Sequence, residues 1–171
     1  MKLLIAGADG QLGRSLQEVL RLKDFEVQPR TRQDLDITDL TAIKKAALES
    51  NPDVIINAAA YTNVEQAELE PKKAFLINEA GVRNLAIVAR ETGSKLIHFS
   101  TDYVFSGSGE RPWKIDDAVK PLSVYGKSKL AGEIAISEEF PENSLIIRTA
   151  WLYSPFGNNF YKTILKLALS N

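Results

Sequence analysis

Cysteine is absent from the 171 residues of this chain. That excludes disulfides and thiolate metal sites, and it fits a reducing compartment. Histidine occurs once, as His98, and no metal-ligating cluster is visible. No stretch approaches the roughly 20 apolar residues needed to span a bilayer. The apolar run from Lys2 to Ala6 is too short for the core of a signal peptide with its cleavage site. The chain is therefore expected to be cytoplasmic, with no membrane partner. Neither sign of charge is in excess. The 21 basic and 22 acidic residues leave a formal charge of -1, so nothing points to nucleic acid. Internal repeats and low-complexity segments are also lacking.

What is present suits one soluble globular domain. Hydrophobic residues make up 44% and charged residues 25%, in a chain long enough to bury a sizeable core. Apolar runs and helical patterns alternate along it. Strands are expected at Leu3 to Ala6, Phe25 to Gln28, Asp53 to Asn57, Lys95 to Ser100 and Ser144 to Arg148. Helices are expected at Gln11 to Arg21, Asp39 to Ser50, Lys72 to Glu91, Tyr125 to Ile136 and Phe160 to Leu169. Runs apolar on both faces, separated by helices, predict an α/β fold: a Rossmann-like, doubly wound parallel sheet with helices on both faces. The whole of 1–171 reads as one dinucleotide-binding domain. The longest irregular segment, Ser106 to Pro121, contains Gly107, Gly109, Pro112 and Pro121 and is a candidate lid.

Gly7-Ala8-Asp9-Gly10-Gln11-Leu12-Gly13 lies between the first strand and the first helix, the context a dinucleotide fingerprint requires. One glycine accepts backbone angles other residues resist. A second clears room beside the phosphates, and Gly13 lets helix and strand pack closely. Free amides at the helix start can then hold pyrophosphate. After the second strand comes Pro29-Arg30-Thr31-Arg32, where a carboxylate would suit ribose hydroxyls and arginine a 2′-phosphate. That favours NADPH, with NADH as the alternative; solvated surface charge is the plainer reading of the two arginines. Asp36 and Ile37 can meet the adenine. After the third strand, Asn57-Ala58-Ala59-Ala60-Tyr61-Thr62 leaves space for ribose and diphosphate against the backbone. Asn78 reads as structural, bonding backbone groups.

Tyr125-Gly126-Lys127-Ser128-Lys129 carries the chemistry. Of five tyrosines, only Tyr125 has a lysine four residues on. Residues so spaced share a helical face. An ammonium beside a phenol favours the phenolate and lowers its proton affinity, which makes the tyrosine a better proton shuttle near neutrality. With Thr101 holding the same oxygen, Tyr125 can protonate a carbonyl as hydride reaches its carbon, and Lys129 can also hold a nicotinamide ribose. Asp102 and Tyr103 beside Thr101 suit sugar hydroxyls, or a loop carboxylate simply caps an amide. Trp151 can stack on a sugar or belong to the core. His98, inside an apolar strand, reads as a satisfied core residue.

The wide glycine spacing with a Tyr-x-x-x-Lys pair resembles short-chain dehydrogenases and reductases. Further segments resemble one extended branch of that superfamily, the dTDP-4-dehydrorhamnose reductases. They are Leu35-Asp36-Ile37-Thr38-Asp39, Asn57 to Thr62, Ser100-Thr101-Asp102-Tyr103-Val104-Phe105-Ser106-Gly107, and Arg148-Thr149-Ala150-Trp151-Leu152-Tyr153. The resemblance runs the length of the chain. It implies cofactor contacts from Gly7, Gly10, Gln11, Leu12, Gly13, Arg30, Asp36, Ile37, Ala58, Ala59, Ala60 and Thr62. It implies a catalytic set of Thr101, Tyr125 and Lys129, and contacts to a dTDP-linked ketosugar from Asp102, Tyr103 and Trp151. The implied reaction is reduction of the 4-keto group of dTDP-4-dehydro-6-deoxy-L-mannose to dTDP-L-rhamnose, which feeds polysaccharide biosynthesis. Family members are considerably longer. The carboxyl-terminal portion that holds most of the sugar nucleotide is expected to lie outside this chain, and the homodimer the family forms through that portion does not carry over. Two other readings stay open: a nucleotide-sugar epimerase or dehydratase of the same superfamily, and a non-catalytic NADP-binding regulatory subunit. An intact Thr101, Tyr125 and Lys129 speaks for catalysis.

Overall fold

The computed structural model describes residues 1–108 and 111–170. Five strands are β1 (Lys2–Ala6), β2 (Glu26–Arg30), β3 (Val54–Asn57), β4 (Lys95–Thr101) and β5 (Ser144–Thr149). Seven helices are α1 (Gln11–Leu20), α2 (Leu40–Ser50), α3 (Val64–Leu69), α4 (Pro71–Phe75), α5 (Gly81–Thr92), α6 (Val124–Glu139) and α7 (Phe160–Leu169). All four strand pairings are parallel, and the order across the sheet is β2-β1-β3-β4-β5. This is one of the two common doubly wound orders, and its switch point lies between β1 and β3. Pro29 in β2 pairs only with β1, at the sheet edge where a missing amide proton is tolerated.

Alternation along the strands builds two cores. Leu4, Ala6, Ile55 and Leu96 face Ile43, Leu85, Ala86 and Ile136 on α2, α5 and α6. Leu3, Ile5, Val54 and Ile56 face the other way, against Leu16 and Leu20 of α1. Helix ends follow local chemistry. Asp39 accepts from the amides of Thr41 and Ala42 at 2.9 and 3.1 Å, which satisfies donors the first turn of α2 would otherwise orphan. Gly93 closes α5 in the left-handed region at φ 74°. Leu85 is fully buried in the larger core. Leu85→Ala is expected to cost about 3 kcal/mol of unfolding free energy, from lost transfer and the cavity left behind. Urea unfolding at unchanged slope would check it.

Two elements differ from the sequence reading. The helix expected from Lys72 to Glu91 is α4 and α5 joined by a π-helical turn, Leu76–Ala80. Asn78 sits in that turn, buried, and its side chain bonds both backbone groups of Tyr61, accepting at 2.8 Å and donating at 3.0 Å. It also donates to Ser128 Oγ on α6. One inserted residue aims that amide inward, and a 3.6-residue period cannot register it. The short α3 was not expected at all. Its six residues, capped by Asn63, are too few to establish a helical period.

Candidate active site

The glycine turn opens the site at the carboxyl ends of β1 and β3. Gly7 has φ +76°, and a Cβ there would lie 2.6 Å from the Ala59 amide nitrogen. Gly13 abuts the Gly7 carbonyl and the Ala8 backbone, so any side chain would overlap them. Gly10 caps α1 with no side-chain bond, so the first-turn amides are free of an internal cap. A cleft of about 210 Å³ lies against this turn, walled by Gly7, Gly10, Arg32, Leu35, Asp36, Ile37, Ala58, Ala59 and Ala60. Arg30 is not in that wall; its carbonyl accepts from the Ala8 amide at 2.9 Å at the end of β2. Arg32 takes the place expected for Arg30, and approaches Asp36 at 3.8 Å. The Asp36 carboxyl is held below its ordinary range by the amide and hydroxyl of Thr38, with a smaller pull the same way from Arg32, against partial burial.

A larger cleft of about 440 Å³ continues from the first, sharing Gly10, Ala58 and Ala60. Into it open Gln11, Leu12, Thr62, Thr101, Asp102, Tyr103, Tyr125, Lys129 and Trp151. The glycine turn and the Tyr-Lys pair therefore share one crevice, though more than 100 residues separate them in sequence. Helix α6 brings Tyr125 and Lys129 there because Ser123 caps it, accepting from the Gly126 amide at 3.1 Å. Gly126 itself lies so close to the Tyr103 carbonyl that a Cβ would clash. Tyr103 meets Tyr125 edge to face, with ring centroids 5.6 Å apart. Trp151 is 73% exposed and holds a left-handed backbone, φ 53°. It is a cleft residue leaning on Phe160, not part of the core. A bulky side chain in that backbone region is strained.

One expectation about the chemistry is corrected. The Tyr125 phenol is pushed up from its ordinary range, not down. Burial is the main cause, the charge of Asp102 and neighbouring Tyr103 add to it, and Thr101 opposes it. Lys129 contributes little because its amine is turned to the sheet: Nζ donates to the Phe99 carbonyl at 2.7 Å and lies 3.3 Å from His98 Nε2. Burial drags the Lys129 ammonium down to about 8, against a favourable pull from Glu133. The sign of the resulting pH dependence is fixed. An unfolded lysine keeps its proton to about 10.5 while the folded one loses it near 8, so stability rises with pH across that window. Relative to Lys129→Met, the native chain is expected to gain on the order of 3 kcal/mol between those limits. Unfolding titrations from pH 7 to 11 measure it; parallel curves for the two proteins would refute it.

The neighbouring shell was mostly invisible in sequence. Leu35 and Ile77 line the first cleft, and Phe99, Ser100, Thr149, Leu152 and Asn158 the second. Phe99, Ser100 and Thr149 end strands whose carboxyl ends form the crevice, so strand position was the usable signal. Glu133, 7% exposed at its side chain, takes a forked bond from Arg148 at 3.0 and 2.6 Å and a 2.5 Å bond from Ser100. The Arg148 guanidinium lies over Phe105, and Phe105 stacks on Trp113 at 4.7 Å. That chain of contacts ties Trp113, within the segment expected to be a lid, to β5. Among the described residues from 106 to 121 none lines either cleft; Gly109 lies outside the described residues.

Comparison with known proteins places the chain in a family. The model of the family described as RmlD substrate binding domain matches residues 1–171. The chain belongs to that family. A dTDP-4-dehydrorhamnose reductase from Salmonella typhimurium is 45% identical over 98% of the chain and 57% of its own length. The crystal structure of the reductase from Clostridium acetobutylicum superposes with TM-score 0.95 at 46% identity, covering 100% of this chain and 60% of that one. That of the Bacillus anthracis reductase, in complex with NADP, gives TM-score 0.96 at 40% identity, with 99% and 60% covered. The chain thus spans somewhat over half the length of the family members it matches.

Proposed function

We propose that residues 1–171 are the dinucleotide-holding domain of an NADPH-dependent reductase. Its substrate would be dTDP-4-dehydro-6-deoxy-L-mannose, reduced at the 4-keto group to dTDP-L-rhamnose. The observation that carries this reading is the shared crevice, in which the uncapped start of α1 and the Tyr125-Lys129 pair lie end to end. The donor set fits a dinucleotide. A Cβ at Gly7 would run into the Ala58–Ala59 backbone, so the tight turn needs glycine; first-turn amides suit a diphosphate, and Arg32 offers a fork to a 2′-phosphate. The B. anthracis relative was crystallised with NADP, which supports NADPH, with NADH as the alternative.

When bound, the cofactor supplies hydride to the carbonyl carbon. The chain's own residues do the rest. Gly7, Gly10, Gln11, Leu12 and Gly13 shape the diphosphate seat. Asp36 and Ile37 meet the adenine end, and Ala58, Ala59, Ala60 and Thr62 leave room along the floor. Arg32, which lines the first cleft, is taken as the charged contact in place of Arg30. Thr101 and Tyr125 hold the substrate oxygen, and the Tyr125 O–H gives that oxygen its proton. Because burial keeps the phenol protonated, the donor form is the resting form. Lys129 holds the nicotinamide ribose. Asp102, Tyr103 and the strained Trp151 contact the sugar. The remaining length of the relatives would supply further grip on the sugar nucleotide, so orientation and turnover by this chain alone should suffer. Where the family dimerises, that portion would carry the contact. No helix of the described residues is long and apolar enough to cross a membrane, and the cytoplasm is the compartment this reading expects.

The test is titration of NADPH and NADH into the chain, followed by turnover of the dTDP-ketosugar by the full-length parent. Arg32→Ala is expected to weaken NADPH about tenfold and NADH hardly at all, the value of one charge-assisted contact. Failure to bind either nucleotide would sink the proposal. Stoichiometric oxidation of NADPH separates the reductase from an epimerase that recycles its hydride.

A further inference from the structure

Lys129 rests against a buried pair of residues with no part in the reading above. Asn57 and His98 are 1% and 0% exposed; Asn57 ends β3 and pairs in register with His98, midway along β4. Asn57 Oδ1 accepts from the Ala59 amide at 3.0 Å, which fixes the side-chain amide. Its Nδ2 therefore faces His98 Nδ1, at 2.9 Å. An amide nitrogen can only donate, so Nδ1 must carry a lone pair. Burial and the Lys129 charge hold the imidazole well below its ordinary range, so the ring is neutral and its one hydrogen sits on Nε2. That N–H points at Lys129 Nζ, 3.3 Å away. An ammonium has no lone pair to accept it, and the two donors would oppose each other. A neutral amine satisfies every contact: it accepts from Nε2–H and donates to the Phe99 carbonyl.

We propose that Asn57 and His98 are positioning residues for Lys129: they lock one imidazole tautomer whose N–H opposes the ammonium, and so set the pH at which the lysine takes its charge. The other groups facing Lys129 are accounted for. On α6, Glu133 favours the ammonium, and Tyr125 is uncharged. From β5, Arg148 occupies both oxygens of Glu133 and blunts that pull. Asp102, beyond the end of β4, acts on Tyr125. The floor of the sheet thus works against Glu133, and Lys129 is left to charge close to neutrality. The functional consequence rests on the reading of Lys129 as part of the catalytic set; the tautomer does not.

The chain has one histidine, so a long-range ¹H–¹⁵N spectrum of labelled protein reports His98 alone. The expected result is a neutral Nε2–H ring from pH 6 upward, with a small perturbation centred near pH 8 that disappears in Lys129→Met. An Nδ1–H ring, or an imidazolium at pH 7, would overturn the proposal without any variant having to fold. In lysine ¹³Cε titrations, His98→Phe removes the opposing N–H and is expected to raise the proton affinity of Lys129 about tenfold. His98→Gln keeps an N–H donor and is expected to stay within about twofold of the native chain. An unchanged or lowered affinity in the Phe variant would also overturn it. Nucleotide binding is measured on the same samples. A chain with the Nε2–H ring and the tenfold shift that binds no pyridine nucleotide would support the coupling and remove the reductase reading. A chain that binds NADPH with the opposite tautomer would do the reverse.

Discussion

Tyr125→Phe in the full-length parent is expected to cut kcat about 10³-fold and leave NADPH affinity within about twofold. The phenyl ring keeps the edge-to-face contact with Tyr103 and fills the same space against Thr101, so the crevice should keep its shape. What disappears is the O–H that the proposed mechanism uses to protonate the carbonyl oxygen. General acid catalysis typically contributes 10²- to 10⁴-fold, and the middle of that range suits an acid assisted by Thr101. The upward push on Tyr125 adds a condition. The native enzyme should not lose its acid form at any pH below about 10, so an alkaline fall in rate nearer pH 8 would belong to Lys129. Activity within threefold of native in the Phe variant would falsify the acid role.

Glu133→Ala should be among the most damaging single changes to stability. The carboxylate is almost completely enclosed, and it receives three bonds from Arg148 and Ser100. Removing it leaves a guanidinium, 24% exposed at its side chain, without its partner. Breaking a buried pair from one side costs about 3–5 kcal/mol. The lower end applies here, about 3 kcal/mol, since water still reaches Arg148. Glu133→Gln keeps the shape and one acceptor and should cost roughly half as much. Chemical unfolding of the two variants gives the comparison, and an Ala variant as stable as native would show that the fork contributes nothing. The same substitution removes the charge that favours the Lys129 ammonium, so proton affinity at Lys129 should fall with it.

Much of this was legible in the sequence because it rests on local chemistry. Gly7 and Gly13 sit where a turn and a close approach demand them, and both are read from spacing and context. Tyr125 and Lys129 share a helical face, which a count of four establishes. The five strands and α1, α2, α6 and α7 follow apolar periodicity to within a few residues. Illegible features depend on tertiary partners. That Arg32 and not Arg30 faces the cleft is decided by where β2 stops, two residues beyond its apolar run. The direction of the Tyr125 shift is decided by burial in the folded crevice, with Lys129 turned away to a carbonyl and an imidazole on another strand. His98 was read as a satisfied core residue. It is one, held at Nδ1 by Asn57, but its other nitrogen faces Lys129.

The π-helical turn at Leu76–Ala80 has a consequence for how this chain tolerates changes of length. Its surplus residue sets the rotational phase between α4 and α5. Deleting any one residue there would turn the flanking helices by about 100° relative to each other. Either α4 could then keep its packing on α6 or Leu85 its place in the larger core, but not both. Insertions and deletions that surface turns absorb freely would, at this point, misalign either α5 in the larger core or α4 against α6, so the segment behaves as a fixed gauge between two helices.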